Sequence, residues 1–285
     1  MPPVTLQLPA ATPKRTAQGV TRRQHVLDAL ALPDPSHKCR ATLALCLAFE
    51  PGGLAVLPDQ TVIPGRLPLP ALVPPRSLKK RSVNSPLGRA ALIHSLAHIE
   101  INAVNLALDV VWRFEGLPLA FYQDWIVVAK EEAQHFGLLS AHLQGMGYAY
   151  GDFEAHDGLW DMAQRTSGDV LARLALVPRT LEARGLDASP AVRQKLADAG
   201  DHAGAEILDV ILKDEIGHVA VGNRWYHWLC ARLELDPLAT YARLAAQHRA
   251  PTLRGPFNLH ARRAAGFTEP ELAALQLATL LPARP

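Results

Sequence analysis

Two tetrapeptides constrain this chain more than anything else in it. Glu132-Ala-Gln-His135 and Glu215-Ile-Gly-His218 each set a glutamate three residues before a histidine, inside a long apolar stretch. An offset of three puts carboxylate and imidazole on one face of a helix, close enough to share an ion. Around Glu132 the neighbours at helical spacing are Trp125, Val128, Ala129, Phe136 and Leu139; around Glu215 they are Leu208, Ile211, Leu212, Val219 and Gly222. Both motifs therefore lie on the stripe that a helical bundle turns inward. An unpaired buried charge costs several kcal/mol, so each placement demands a partner. A chain with this many Glu and His holds roughly half a Glu-x-x-His match by chance, so placement carries more weight than number.

Two further acids sit on apolar stripes. Glu100 has Ile93, Leu96, Ala97, Ala103, Val104 and Ala107 on its face, and Glu182 has Leu171, Leu174, Ala175 and Leu186, with Pro178 and Arg179 nearby. Glu100 precedes Glu132 by 32 residues and Glu182 precedes Glu215 by 33. One helix pair, Glu then Glu-x-x-His, is used twice, and a gap of about 32 residues suits two antiparallel helices meeting near their middles. Four carboxylates and two imidazoles facing one core need counter-charge, and two divalent metals supply it. This mixed O/N set suits iron first and manganese second. In that reading Glu100 and Glu182 are terminal ligands, Glu132 and Glu215 bridge, and His135 and His218 each bind one ion.

The remainder of the chain reads as helical. Ser85-Pro86 is a helix start, with an N-cap residue before a first-turn proline. Four long helices are predicted, over about 86–114, 119–145, 168–184 and 202–233, with a short helix, "SPAVRQKLADAG", between the third and fourth. "TRRQHVLDALAL" and "KCRATLALCLAF" read as short amphipathic helices, residues 1–20 as a mobile arm, and the proline-rich 51–86 as an extended strap. One or two short helices are expected after Asp236. Alternating β-branched runs are nearly absent, so the expected class is all-α, divided as an extension (1–84), a four-helix bundle (85–235) and a helical tail (236–285).

Composition narrows the setting. Three widely spaced cysteines, Cys39, Cys46 and Cys230, without a C-x-x-C, argue against a disulfide framework and point to a reducing cytoplasm. No uncharged apolar run of about 18 residues stands out, so a membrane span is not expected. The net charge of +2 hides an asymmetry: residues 1–90 carry a balance of +8 and residues 91–285 one of −6. The basic front is either a strap against an acidic body or a contact for RNA.

"GRAALIHSLAHIEINA", "EEAQHF", "HDGLW", "PRTLEARGLD" and "DEIGHVAVG", with "FN-x-x-AR-x-x-AGF" in the tail, resemble the ferritin-like superfamily and, more closely, the family known as DUF455. Similar ligand patterns occur in bacterial tRNA hydroxylases acting on isopentenyl-adenosine derivatives. The resemblance implies a dinuclear metal site and supplies no substrate.

The leading functional expectation is an oxidoreductase that activates O₂ or peroxide to oxidise or hydroxylate a small-molecule or nucleotide substrate, with an external electron donor. Ferroxidase or iron handling, and a non-catalytic scaffold that contacts RNA, are the rivals. His156 is either a support to a metal ligand or a loop-structuring group. His94 and His98 fall off the Glu100 face and read as capping or surface residues. Tyr122 and Tyr226 are either redox-active neighbours of a metal or packing residues, and Pro178 is expected to kink the third helix.

Overall fold

The computed structural model describes residues 22–47 and 62–280. Among these the regular elements are helical, and the β contact is an isolated parallel bridge between Leu72 and Ala155. The all-α expectation therefore holds. Two compact units are drawn from the chain, one from Met1–Lys80 with Ala90–Asp157, the other from Arg81–Arg89 with Gly158–Pro285.

The first unit opens with α1 (Arg22–Ala31) and α2 (Pro35–Leu43). Asp34 caps α2 by accepting from the His37 amide at 2.8 Å, and Pro35 takes the first-turn position where no N–H is needed. This helix starts earlier and stops sooner than the "KCRATLALCLAF" reading, because Asp34-Pro35 is a stronger start signal than the apolar run that follows. Of the strap, residues 62–80 are irregular apart from a short 3₁₀ turn at Pro75–Ser77, as proline content requires; residues 48–61 and the arm before residue 22 lie outside the described residues. The strap is tied down through its backbone. Gly65 donates to the Leu30 carbonyl at 2.9 Å; at the bridge Val73 donates to the Ala155 carbonyl at 2.8 Å and Ala155 to the Ala71 carbonyl at 3.0 Å. At Gly65 a Cβ would fall 2.0 Å from the Ala31 carbonyl oxygen, so only glycine permits this approach.

Two long helices follow, α3 (Pro86–Arg113) and α4 (Leu119–Gly145). The Ser85 hydroxyl accepts from the Gly88 amide at 3.1 Å, as a helix cap should. Tyr122 fastens the turn between the helices, donating to the Phe114 carbonyl and accepting from the Leu117 amide. By length and composition α3 is apolar enough to cross a bilayer, yet 72% of its most apolar window is buried inside the protein, as in a core helix.

The second unit holds α5 (Gly158–Arg165), α6 (Val170–Leu176), a π-helical segment (Val177–Glu182), α7 (Ala183–Asp198), α8 (His202–Arg232), α9 (Pro237–Gln247), α10 (Leu259–Ala264) and α11 (Glu269–Leu280). The third predicted helix does not end at "RGLD". It widens into the π segment at Pro178, whose missing N–H breaks the regular ladder, and continues as α7 straight through Pro190. The separate "SPAVRQKLADAG" helix is part of α7. Pro190 cannot donate to the Leu186 carbonyl, and Asn258 in the tail does so instead, from Nδ2 at 3.2 Å. A side chain some seventy residues away thus replaces the backbone bond whose loss would ordinarily stop the helix. The tail itself forms α9, α10 and α11, more than the one or two helices expected.

Candidate metal centre

In the first unit, α3 carries Glu100, and α4 carries Glu132 and His135. His135 Nδ1 lies 3.2 Å from Glu100 Oε2 and 3.3 Å from Glu132 Oε2. Glu100 is 5% exposed, and Glu132 and His135 are each 1% exposed. Each offers a ligand atom within 4.8 Å of the others. The surrounding stripe is dry: Ala97, Val104, Ala129, Ala133, Phe136 and Leu139 are all buried.

The electrostatics match an ion site. Burial pushes the Glu100 carboxyl well above its ordinary range, and the charge of Glu132 pushes it further. Burial alone would lower His135. Its hydrogen bonds to Glu100 and Glu132, with their charges, outweigh that and raise it to about 11. The His135 imidazole thus meets two acids through one nitrogen, where a divalent cation would bring more charge than a proton does. The donors present, hard oxygens and one imidazole nitrogen, fit iron or manganese.

The second unit repeats the local geometry. On α8, His218 Nδ1 lies 3.3 Å from Glu215 Oε2, and both residues are buried. The Glu132–His135 separation recurs, so the sequence repeat is also a structural one. Glu182 is buried too and closes the π segment. One turn later Gly185 faces α8, where an added Cβ would touch Glu215 Oε1 at 3.6 Å. The helix face that bears Glu182 is therefore the one turned toward Glu215. Buried Glu/His groups that could hold metal thus occur in both units.

The π segment is supported by Arg179 of the "PRTLEARGLD" motif and by residues of α8 and the tail. Arg179, 3% exposed, donates to Glu271 Oε1 at 2.6 Å and stacks 4.1 Å above the Tyr226 ring. His227 Nε2 reaches the same Glu271 oxygen at 2.8 Å. Burial pushes Glu271 up, but the bonds to His227 and Arg179 prevail and hold it well below the usual carboxylate range. Arg262 is fully buried. It grips Asp187 at 2.6 and 3.0 Å and the Ala183 carbonyl at 3.2 Å. The "FN-x-x-AR-x-x-AGF" motif is thus a clamp on the helix that presents Glu182: Asn258 and Arg262 hold α7, and the Ala265 carbonyl accepts from Asn223 of α8. An asparagine and an arginine at that spacing were the available signal. Their targets lie too far off in sequence to be guessed.

Several expectations change. His94 and His98 are neither surface nor capping residues, being 1% and 8% exposed. They lie on α3 against the 148–157 loop. His94 Nε2 accepts from the Gly151 amide at 3.0 Å, and burial lowers its pKa to about 4, so the ring is neutral. His98 bonds the Tyr150 hydroxyl through Nδ1 at 2.8 Å and the His156 carbonyl through Nε2 at 3.1 Å. His156 contributes to that loop with its backbone. Tyr122 and Tyr226 use their hydroxyls on the backbone, Tyr226 donating to the Pro237 carbonyl at 2.7 Å, which favours the packing reading. Pro178 sits in a π segment, where a kink was expected.

The family model for "Protein of unknown function (DUF455)" matches residues 31–273. The chain is 46% identical over 263 residues to an "Uncharacterized protein" of Haemophilus influenzae, an alignment covering 87% of this chain and 91% of that one. No solved structure matches. The match spans both Glu-x-x-His helices and the tail clamp, and on it the chain belongs to the DUF455 family.

Proposed function

We propose that the two Glu/His sets act together as a dinuclear metal centre, in a ferritin-like frame of α3, α4, the α6–α7 run and α8, and that the protein is an oxidoreductase using O₂ or peroxide. The observation that carries this is the repeat: an acid on one helix and Glu-x-x-His on the next, twice, with the same 3.3 Å carboxylate–imidazole separation each time. Glu100 and His135 would serve one ion, Glu182 and His218 the other, and Glu132 and Glu215 would bridge. Two such ions, when bound, supply Lewis acidity and electrons for reduction of O₂ or peroxide.

The chain's own residues do the rest. Carboxylates fix the ions, and imidazoles complete neutral, directional positions. The buried walls at Val104, Phe136 and Leu139 keep bulk water away, which strengthens every charge interaction inside. Hydroxylation by O₂ puts one oxygen atom into the substrate and reduces the other to water, which takes two electrons from a separate donor. The basic front is read as a strap. Arg23 pairs with Glu115 at 2.7 Å and Arg66 with Asp157 at 2.6 Å, so part of its charge is already satisfied by acids of the same unit.

The test is elemental analysis of protein expressed in medium supplied with iron and manganese, with two ions per chain expected. Absence of both metals, followed by failure to take up Fe(II) anaerobically, would overturn the proposal. Filter retention of tRNA at low and moderate salt, for wild type and for Lys79, Lys80 and Arg81 all changed to Ala, tests the strap. Tight, salt-sensitive binding lost in the variant would replace it with an RNA contact.

A further inference from the structure

On the opposite side of α3 from Glu100 lies a cavity of about 270 Å³, between the start of α2, the strap and α3. His98, Asn102 and Asn105 of α3 line it, as do Lys38 of α2, Arg66 of the strap and Tyr150. Residues 98, 102 and 105 share one helical stripe. Glu100, two positions from 98 and from 102, is about 200° round the axis. The cavity is therefore separate from the carboxylate–histidine cluster.

Lys38 is the unusual member. It is 1% exposed, and its amine bonds only neutral acceptors, the Gly65 carbonyl at 2.9 Å and Asn105 Oδ1 at 2.6 Å. Among the described residues no carboxylate pairs with it. A buried lysine without a counter-ion is costly. Burial, and then the charge of Arg66, lowers its pKa to about 7. An ammonium has three donors, of which two are used here.

Arg66 is the second cation. It spends its bonds on both oxygens of Asp157, each at 2.6 Å, and on Asn102 Oδ1 at 3.2 Å. That leaves two of its five donors. Among the described residues, protonated Lys38 and Arg66 against Asp157 leave one positive charge unmatched. Around these groups the wall is largely apolar, formed by Pro68, Leu69 and Ile101. The polar members are already oriented, Asn102 donating to the His98 carbonyl at 2.8 Å and His98 fixing the Tyr150 hydroxyl.

We propose that this cavity is a second ligand site, for a small monocarboxylic acid, with Lys38 and Arg66 holding the carboxylate and the apolar wall holding a short carbon chain. One unmatched positive charge calls for a monoanion. A carboxylate would accept the remaining Lys38 N–H and an Arg66 donor in short charge-assisted bonds. The volume, at the small end for ligand pockets, suits a compact acid. Apolar lining selects an organic acid over inorganic phosphate, which would strand its fourth oxygen against carbon. None of this depends on the metal reading.

The test uses the full-length protein as isolated, with butyrate as probe. Calorimetric titration should show one butyrate site per chain and a raised melting temperature. Butyramide, of the same shape without charge, should bind at least about tenfold more weakly. Lys38→Met, which keeps the buried stem, should lose butyrate binding by a similar factor while retaining its metal content. Wild-type protein that ignores butyrate, or binds butyramide or phosphate as tightly, would overturn the proposal. So would Lys38→Met binding butyrate like wild type. The butyrate–butyramide comparison needs no variant and stands even if Lys38→Met folds poorly.

Discussion

The two carboxylate–histidine sets share a spacing but not a scaffold. Glu100, Glu132 and His135 stand on α3 and α4, two long helices with small apolar neighbours and no interruption. Glu215 and His218 stand on an equally regular α8, but Glu182 ends a π segment that contains Pro178 and leads into a helix containing Pro190. The first set stands on helices that no proline or π segment interrupts. The second depends on distant residues: Glu271 on Arg179, Asn258 on Leu186, Arg262 on Asp187. Identical ligand chemistry can thus rest on uninterrupted helices or on a braced one. π segments cluster at functional sites because the extra residue re-aims a side chain. Here the segment ends at Glu182.

The largest expected effect comes from removing the brace. Arg262→Ala strips the fully buried guanidinium from Asp187, a carboxylate itself largely covered by the same packing. Removing one partner of a buried pair costs about 3–5 kcal/mol. Urea unfolding should show that loss. Metal analysis should then show the Glu182 set impaired and the Glu100 set retained, because the bonds of Arg262 go to Asp187 and the Ala183 carbonyl, both of α7. Equal loss of both ions would break the contrast between the sets.

Metal addition gives the next effect and sharpens the same comparison. A ligand that binds only the folded chain at 100 times its Kd adds about 2.7 kcal/mol. Fe(II) or Mn(II) should therefore raise the melting temperature of metal-free protein, and an unchanged midpoint at saturation would count against a core site. Glu100→Gln separates the contributions. Burial and the charge of Glu132 push the Glu100 carboxyl well above its usual range and so favour its protonated form, which the amide imitates. Metal-free stability should stay within about 1 kcal/mol of wild type, while roughly half the metal-induced gain is lost.

How much of this was legible beforehand follows the same division. The helices carrying Glu100, Glu132, Glu215 and His218 could be read within a residue or so, because an uninterrupted apolar stripe reports both helix and inward face. The Glu182 helix was misread at Gly185 and Pro190, which locally spell a stop and a restart. What overrides them, Asn258 and Arg262, acts from the tail and leaves no mark in the local pattern. His94 and His98 were misplaced for a related reason. Their offset from the Glu100 stripe was correct, but α3 is covered on that face as well, by the loop that carries Tyr150, Gly151 and His156. Lys38 gave no signal at all, since a lysine on a short basic helix normally faces water.

A third, smaller effect concerns the contact that seats Pro178. A Cβ on Gly222 would fall 2.5 Å from the Pro178 Cβ, closer than real contacts allow. Gly222→Ala must shift α8 or the π segment, with a cost of about 1–3 kcal/mol. The shift should reach Glu182 and lower metal content in the second set. Full metal content at reduced stability would show that the segment yields without re-aiming its carboxylate.

The smallest effect should be opposite in sign. Gly185 lies within α7, where glycine costs about 0.8–1 kcal/mol relative to alanine. An added Cβ would meet Glu215 Oε1 at 3.6 Å, an ordinary van der Waals distance. Gly185→Ala should therefore stabilise the metal-free protein by up to about 1 kcal/mol, by relief of the backbone penalty. With metal bound, Glu215 has a second demand on it. If its carboxylate must swing past Gly185 to reach an ion, the methyl stands in its way, and the variant will gain less from added Mn(II) than wild type does. Melting curves of both proteins with and without Mn(II) decide it. A larger metal-free midpoint with a smaller metal shift would mean that Gly185 is kept open for the movement of Glu215. Equal shifts would mean that Glu215 needs no movement past Gly185 to reach an ion.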